Sequence, residues 1–82
     1  MASPKIVEVL WEDACSADPW SRSAAPLDPC LSLTVGIQMG RDDKGIYLAA
    51  AVNTSGQRAS RWRIPAGMIR RVRVLGTLSE LP

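Results

Sequence analysis

Histidine and phenylalanine are absent from this sequence, and cysteine occurs only twice. Without an imidazole, the side chain that most often moves protons near neutral pH is missing, and no serine or cysteine has its usual activating base. Two thiolates cannot complete a tetrahedral zinc site, so neither a structural metal nor a cofactor is expected. Cys15 and Cys30 are expected as partly buried free thiols, because a disulfide between them, although sterically feasible, would be unusual in a reducing cytosol. No phosphate-cradling GxxxxGK[ST] loop is present. No apolar run approaches the roughly 20 residues that cross a bilayer, and no signal-type hydrophobic segment precedes Glu8, so no membrane partner is expected and the cytosol is the expected compartment.

Carboxylates are present but badly placed for catalysis. Glu12/Asp13 and Asp42/Asp43 are adjacent in sequence, and neighbours on an extended chain point to opposite faces. The second pair has turn composition. A metal-dependent hydrolase built on Glu12, Asp13 and Asp18 is a minor alternative, and the chain is expected not to be an enzyme.

The 82 residues are 46% hydrophobic and 22% charged, which suits one small globular domain over residues 1–82 with an ordered core over about 5–76. A domain of this size buries only about 60–65% of its unfolded surface, so association of copies into a homo-oligomer is expected to add stability.

The hydrophobic pattern predicts five short strands. In residues 5–11 Val7, Val9 and Trp11 share one side and Ile6, Glu8 and Leu10 the other. Residues 31–39 alternate throughout, with Leu31, Leu33, Val35, Ile37 and Met39 on the face expected to be buried and Ser32, Thr34, Gly36 and Gln38 on the other. After the turn formers of 41–45, residues 45–52 complete a hairpin, with Ile46, Leu48, Ala50 and Val52 on one face. A second turn at 53–57 leads into RASRWRI, where Trp62 and Ile64 point inward and Arg61 and Arg63 outward. Pro65 and Gly67 make 65–68 a tight or 3₁₀ turn, and 69–75 is the last strand. Residues 12–30, with three prolines, form a long irregular loop whose one aromatic side chain, Trp20, either pins it to the core or lines a site.

One long first loop, two tight hairpins, a short 3₁₀ turn and a closing strand follow the order of SH3-like and Sm-like barrels. Ile64-Pro65-Ala66-Gly67-Met68-Ile69 resembles their hydrophobic-Pro-x-x-hydrophobic-hydrophobic step. The expected fold is therefore an all-β, five-stranded SH3-like or Sm-like small barrel with a long loop between strands one and two. The tyrosine-rich motif that binds proline helices is missing, so that function is not implied. Val7, Val9, Trp11, Asp13, Cys15 and Trp20, then Val35-Gly36, then Ile64-Pro65 with Ile69, are similar to a group of short bacteriophage proteins without an assigned activity. These share a V-x-V-x-W-x-D-[AS]-C start and an Ile-Pro step near the C-terminus. The resemblance spans roughly residues 6–75 and implies a phage protein acting in the cytoplasm of an infected bacterium.

Charge is unevenly distributed. From Lys44 to Ser79 there are seven basic residues and no acid, whereas the chain up to Asp43 has three basic and seven acidic residues. Within SRWRIPAGMIRRVRVLG, residues 60–76, stand Arg61, Arg63, Arg70, Arg71 and Arg73. Placed on neighbouring strands, Arg61/Arg63 and Arg71/Arg73 would form one cationic patch, and guanidinium groups bind phosphate through paired, charge-assisted hydrogen bonds. The rings of Trp11, Trp20, Trp62 and Tyr47 could stack on a base. The expected ligand set is thus Arg61, Arg63, Arg70, Arg71, Arg73, Trp11 and Trp20, and the expected ligand a phosphorylated nucleotide. Set in an infected cell, that ligand is a small immune signal of the host that the protein sequesters as an anti-defence measure. Binding of RNA or single-stranded DNA is the second expectation, and a protein adaptor or virion component the third. Against all of them stands the ordinary role of strand arginines: they solvate a wet face, discourage edge pairing, or are neutralised by the acidic first half.

Overall fold

The computed structural model describes residues 3–14, 22 and 24–79. Five strands follow one another along the chain: β1 (Lys5–Asp13), β2 (Cys30–Asp42), β3 (Gly45–Val52), β4 (Arg58–Pro65) and β5 (Ile69–Thr77), with a 3₁₀ turn, Ala66–Met68, between the last two. All pairings are antiparallel, and the strands lie in a single sheet in the order β4-β3-β2-β1-β5. The all-β expectation and the five strands hold. The sheet is not closed, since β4 and β5 stand at its two edges.

The turns form where local chemistry favours them. Asp42 Oδ1 accepts the backbone N–H of Lys44 at 2.9 Å and of Gly45 at 3.2 Å, closing the β2–β3 hairpin as an Asx turn. Gly45 is required there by close approach: a Cβ would lie 2.3 Å from the carbonyl oxygen of Ile64. Between β3 and β4, Asn53 Oδ1 accepts the N–H of Ser55 and of Gln57, and Gly56 takes φ +77, which glycine adopts at least cost. The 3₁₀ turn is held to the first hairpin by Ala66 N–H donating to Lys44 O at 2.9 Å.

Val7 and Val9 of β1, Ile46 and Leu48 of β3 and Ile64 of β4 form the core, with Trp11, Trp62, Met68, Ile69 and Val72 packed around it. The inward set on β1, β3 and β4 agrees with the alternation in the sequence, except that on β3 Ala50 is exposed, Val52 is only half-buried, and Ala49 of the opposite face is fully buried.

β2 is the exception. Its alternation is real, but its first half turns the other way: Leu31, Leu33 and Val35 are 58%, 61% and 56% exposed. Register decides this. Val7, Val9 and Trp11 pair with Gly36, Thr34 and Ser32, so the small polar face of β2 is continuous with the buried face of β1. Bulky rings need small partners: a Cβ at Gly36 would already stand 3.2 Å from Leu48 Cβ and 3.5 Å from the Trp62 ring. Only Ile37, paired with Ile6 and with Ala49, is buried among the apolar residues of that face.

Cys30 is exposed and disulfide-bonded, which corrects the expectation of a partly buried free thiol at that position. Cys15, the other cysteine of the sequence, lies outside the described residues.

Candidate ligand-binding site

The arginines expected to share one wall are divided between the two sheet edges. Arg61 and Arg63 lie on β4, and Arg70, Arg71 and Arg73 on β5, with β3, β2 and β1 between them. Neighbouring strands for the two pairs, the premise of a single patch, are therefore not what forms. The reason is topological: β5 follows β4 in sequence, but the 3₁₀ turn redirects the chain so that β5 pairs with β1.

That pairing also neutralises the β5 group. Glu8 is opposite Arg73 and Leu10 opposite Arg71. Glu8 accepts from Arg73 at 3.3 Å and lies 3.9 Å from Arg71. Arg70 directs both Nε (3.1 Å) and Nη2 (2.8 Å) at Glu12 Oε2, and its Nη1 donates to Gly67 O at 2.9 Å. The acids of β1 thus absorb much of the charge on β5, the compensation by the first half of the chain that the sequence left open. Exposed pairs of this kind contribute about 0–1 kcal/mol each. Arg70 and Arg71 do line a depression of about 430 Å³ with Arg41, but Asp42 and Asp43 line it too, so an anion entering it would meet both signs of charge.

Trp11 stands apart from both groups. It is half-buried against the core, and its indole N–H donates to Thr34 Oγ1 at 2.9 Å. Trp20 lies outside the described residues, as does Asp18 of the minor metal-site alternative. Glu12 of that alternative is engaged by Arg70, and among the described residues no group of three potential metal ligands converges. No helix among the described residues is long and apolar enough to cross a membrane.

On the β3–β4 side the geometry differs. Met39, Tyr47, Leu48, Arg58, Arg61 and Trp62 line an open depression of about 640 Å³, within the size range of small-molecule sites. Met39 reaches it from an irregularity of β2, where pairing to β3 skips from Gln38 to Gly40. Arg58 and Arg61 are three residues apart, a spacing that would send them to opposite faces of a regular strand. Ser60 between them has the left-handed φ of 54, a departure from regular strand geometry, and both line the same hollow. Among the described residues neither forms an ion pair. Arg63 stands at the neighbouring Tyr47, its cross-strand partner.

Tyr47 is fixed at the rim. Its hydroxyl donates to the Asp42 carboxylate, 3.1 Å from Oδ1 and 3.0 Å from Oδ2. This hydrogen bond is the main cause that raises the phenol above its ordinary value. The Asp42 carboxyl is held below its ordinary value chiefly by the Lys44 N–H, with Tyr47, Gly45 and the charge of Arg63 acting in the same sense against some desolvation.

Of the expected residues, then, Arg61 belongs to this hollow and Arg63 adjoins it, while Arg70, Arg71, Arg73 and Trp11 are elsewhere. Arg58 and Met39 were not among them. The signal for Arg58 was the hairpin register, which places it opposite Val52 just beyond the 53–57 turn. For Met39 there was none, because its bulge follows from packing. Comparison of the chain with models of protein families, with curated proteins and with solved structures gives no significant match.

Proposed function

We propose that this protein is a non-enzymatic binder of a small phosphorylated nucleotide-type ligand, taken up in the β3–β4 hollow. One observation carries the reading: two arginines without an acidic partner among the described residues line the same depression as Tyr47 and Trp62. Guanidinium groups at Arg58 and Arg61 suit a phosphate, and the rings suit a base or sugar face. Tyr47, oriented by Asp42, offers a ring edge that is already ordered before binding.

Joined to the bacteriophage resemblance, the reading is sequestration of a nucleotide immune signal in the infected host cytoplasm, such as a cyclic oligonucleotide or an ADP-ribose derivative. Copies of the chain are expected to act as a homo-oligomer. The order β4-β3-β2-β1-β5, with a 3₁₀ turn linking the two edge strands, supports reading the sheet as the wall of an SH3-like or Sm-like barrel.

Calorimetry with a panel of cyclic dinucleotides, cyclic trinucleotides and ADP-ribose tests the proposal. Heat of binding that disappears in Arg58→Glu and Arg61→Glu but persists in Arg73→Glu is the expected result. Absence of heat throughout the panel, or binding indifferent to both β4 substitutions, overturns it.

A further inference from the structure

The first half of β2 is an unusual surface. Leu31, Leu33 and Val35 project from it, each more than half exposed, and beside them on β1 Leu10 pairs with Leu33. β2 has a strand on one side only along this stretch: β1 pairs with it from Cys30 to Ile37, whereas pairing to β3 begins at Ile37. Among the described residues no strand lies on the other side of Leu31–Val35, and its outward backbone groups have no ladder partner among those residues.

The other open edges are guarded differently. β4 carries Arg58, Arg61, Arg63 and Pro65, and β5 carries Arg70, Arg71 and Arg73, charges and a proline of the kind that prevents strands from adding edge to edge. Between Asp28 and Arg41 there is no charged residue and, after Pro29, no proline. The unguarded stretch of β2 therefore lacks the usual blocks, and its exposed face is apolar.

We infer that residues Leu31–Val35 of β2 are the contact by which a second copy of this chain adds to the sheet, antiparallel and two-fold symmetric about Leu33. A two-fold contact must be self-complementary, and this stretch meets the condition. Leu33 falls opposite Leu33 of the second copy, Leu31 opposite Val35, and Ser32 opposite Thr34, so apolar meets apolar on one face and hydroxyl meets hydroxyl on the other. No like charges are brought together, because the nearest acids on β1, Glu8 and Glu12, are already paired with arginines of β5.

Area sets the expected strength. At about 100 Å² of apolar surface per side chain, the exposed parts of six such residues amount to roughly 350 Å². The backbone ladder and the Leu10 side chains add to this, but the total stays below the roughly 1,200 Å² of a standard stable interface. The dimer is therefore weak and concentration-dependent. The inference does not rest on the nucleotide reading, since the β3–β4 hollow takes from β2 only Met39, outside the Leu31–Val35 stretch.

Sedimentation equilibrium of the full chain without ligand, from about 10 µM to 1 mM, tests it, with far-ultraviolet circular dichroism to check folding. The expected result is a mass rising toward twice the monomer in the wild-type chain and remaining monomeric in Leu33→Lys, which places two ammonium groups at the symmetry axis. Leu31→Lys is a second disrupting variant should Leu33→Lys fail to fold. Leu75→Lys, at an exposed apolar position on β5, is expected to dimerise like the wild type. A wild-type chain that stays monomeric at 1 mM, or a dimer that survives in folded Leu33→Lys and Leu31→Lys, overturns the inference.

Discussion

The indole N–H of Trp11 donates to the hydroxyl of Thr34, 2.9 Å away across the β1–β2 pairing. This bond joins a ring that borders the core to the polar face of β2, and explains why that face turns inward. A half-buried tryptophan needs a hydrogen-bond acceptor as well as apolar contact, and threonine supplies one where leucine could not.

Replacing Thr34 by Val keeps the shape and removes the acceptor, leaving the indole donor unsatisfied in a partly buried place. The expected loss is about 1 kcal/mol, read as a fall in Tm of about 4–8 °C for a domain of this size. An unchanged Tm would mean that water replaces the bond at no cost.

Gly45 is the glycine that the fold tolerates least well as anything else. With Ile64 O at 2.3 Å from the position of a Cβ, Gly45→Ala must displace the β3–β4 pairing and is expected to cost about 1–3 kcal/mol. Gly67, around which a Cβ would meet nothing within 4 Å, serves as the comparison. Chemical denaturation of the two alanine variants should show a lowered midpoint for Gly45→Ala alone.

Tyr47 is the only tyrosine in the sequence, so an ultraviolet difference titration reports it without overlap. Its phenol is raised by the hydrogen bond to Asp42, and in Asp42→Asn the ionisation should move back toward its ordinary value of about 10. For stability, the raised phenol contributes fully below about pH 10 and its share is lost as pH rises through the folded value. The depressed Asp42 carboxyl contributes above about pH 4, and its share is lost as pH falls through its lower folded value. A titration identical in Asp42→Asn would refute the coupling.

Salt separates a compact ligand from a polymer. Binding of a small nucleotide in the β3–β4 hollow should weaken only slightly with added salt, whereas a single-stranded nucleic acid would show a log–log slope near −0.7 for each phosphate neutralised. A steep slope, lost in Arg70→Glu or Arg73→Glu, would favour the polymer and move the contact to β5.

The disulfide at Cys30 predicts that alkylation of the denatured, unreduced protein leaves that residue unmodified. Peptide mass mapping checks this directly. Alkylation of Cys30 before reduction would restore the free thiol expected for a reducing compartment.

By itself, the sequence determined the strands and turns of this protein. Period-two alternation, the Asp42–Gly45 and Asn53–Gln57 turn residues and the Pro65–Gly67 interruption are local signals, and strands and hairpins answer to local chemistry. Tertiary structure alone decided which face of β2 is buried and where the arginines gather. Alternation fixes that two faces differ, but which one meets the core depends on the ring volumes of Trp11 and Trp62 across the sheet. Likewise, arginines close in sequence on β4 and β5 were sent to opposite edges by a turn of three residues, and the charge on β5 was matched by acids some sixty residues away. Pairing between distant strands sets both, and no window of adjacent residues contains that information.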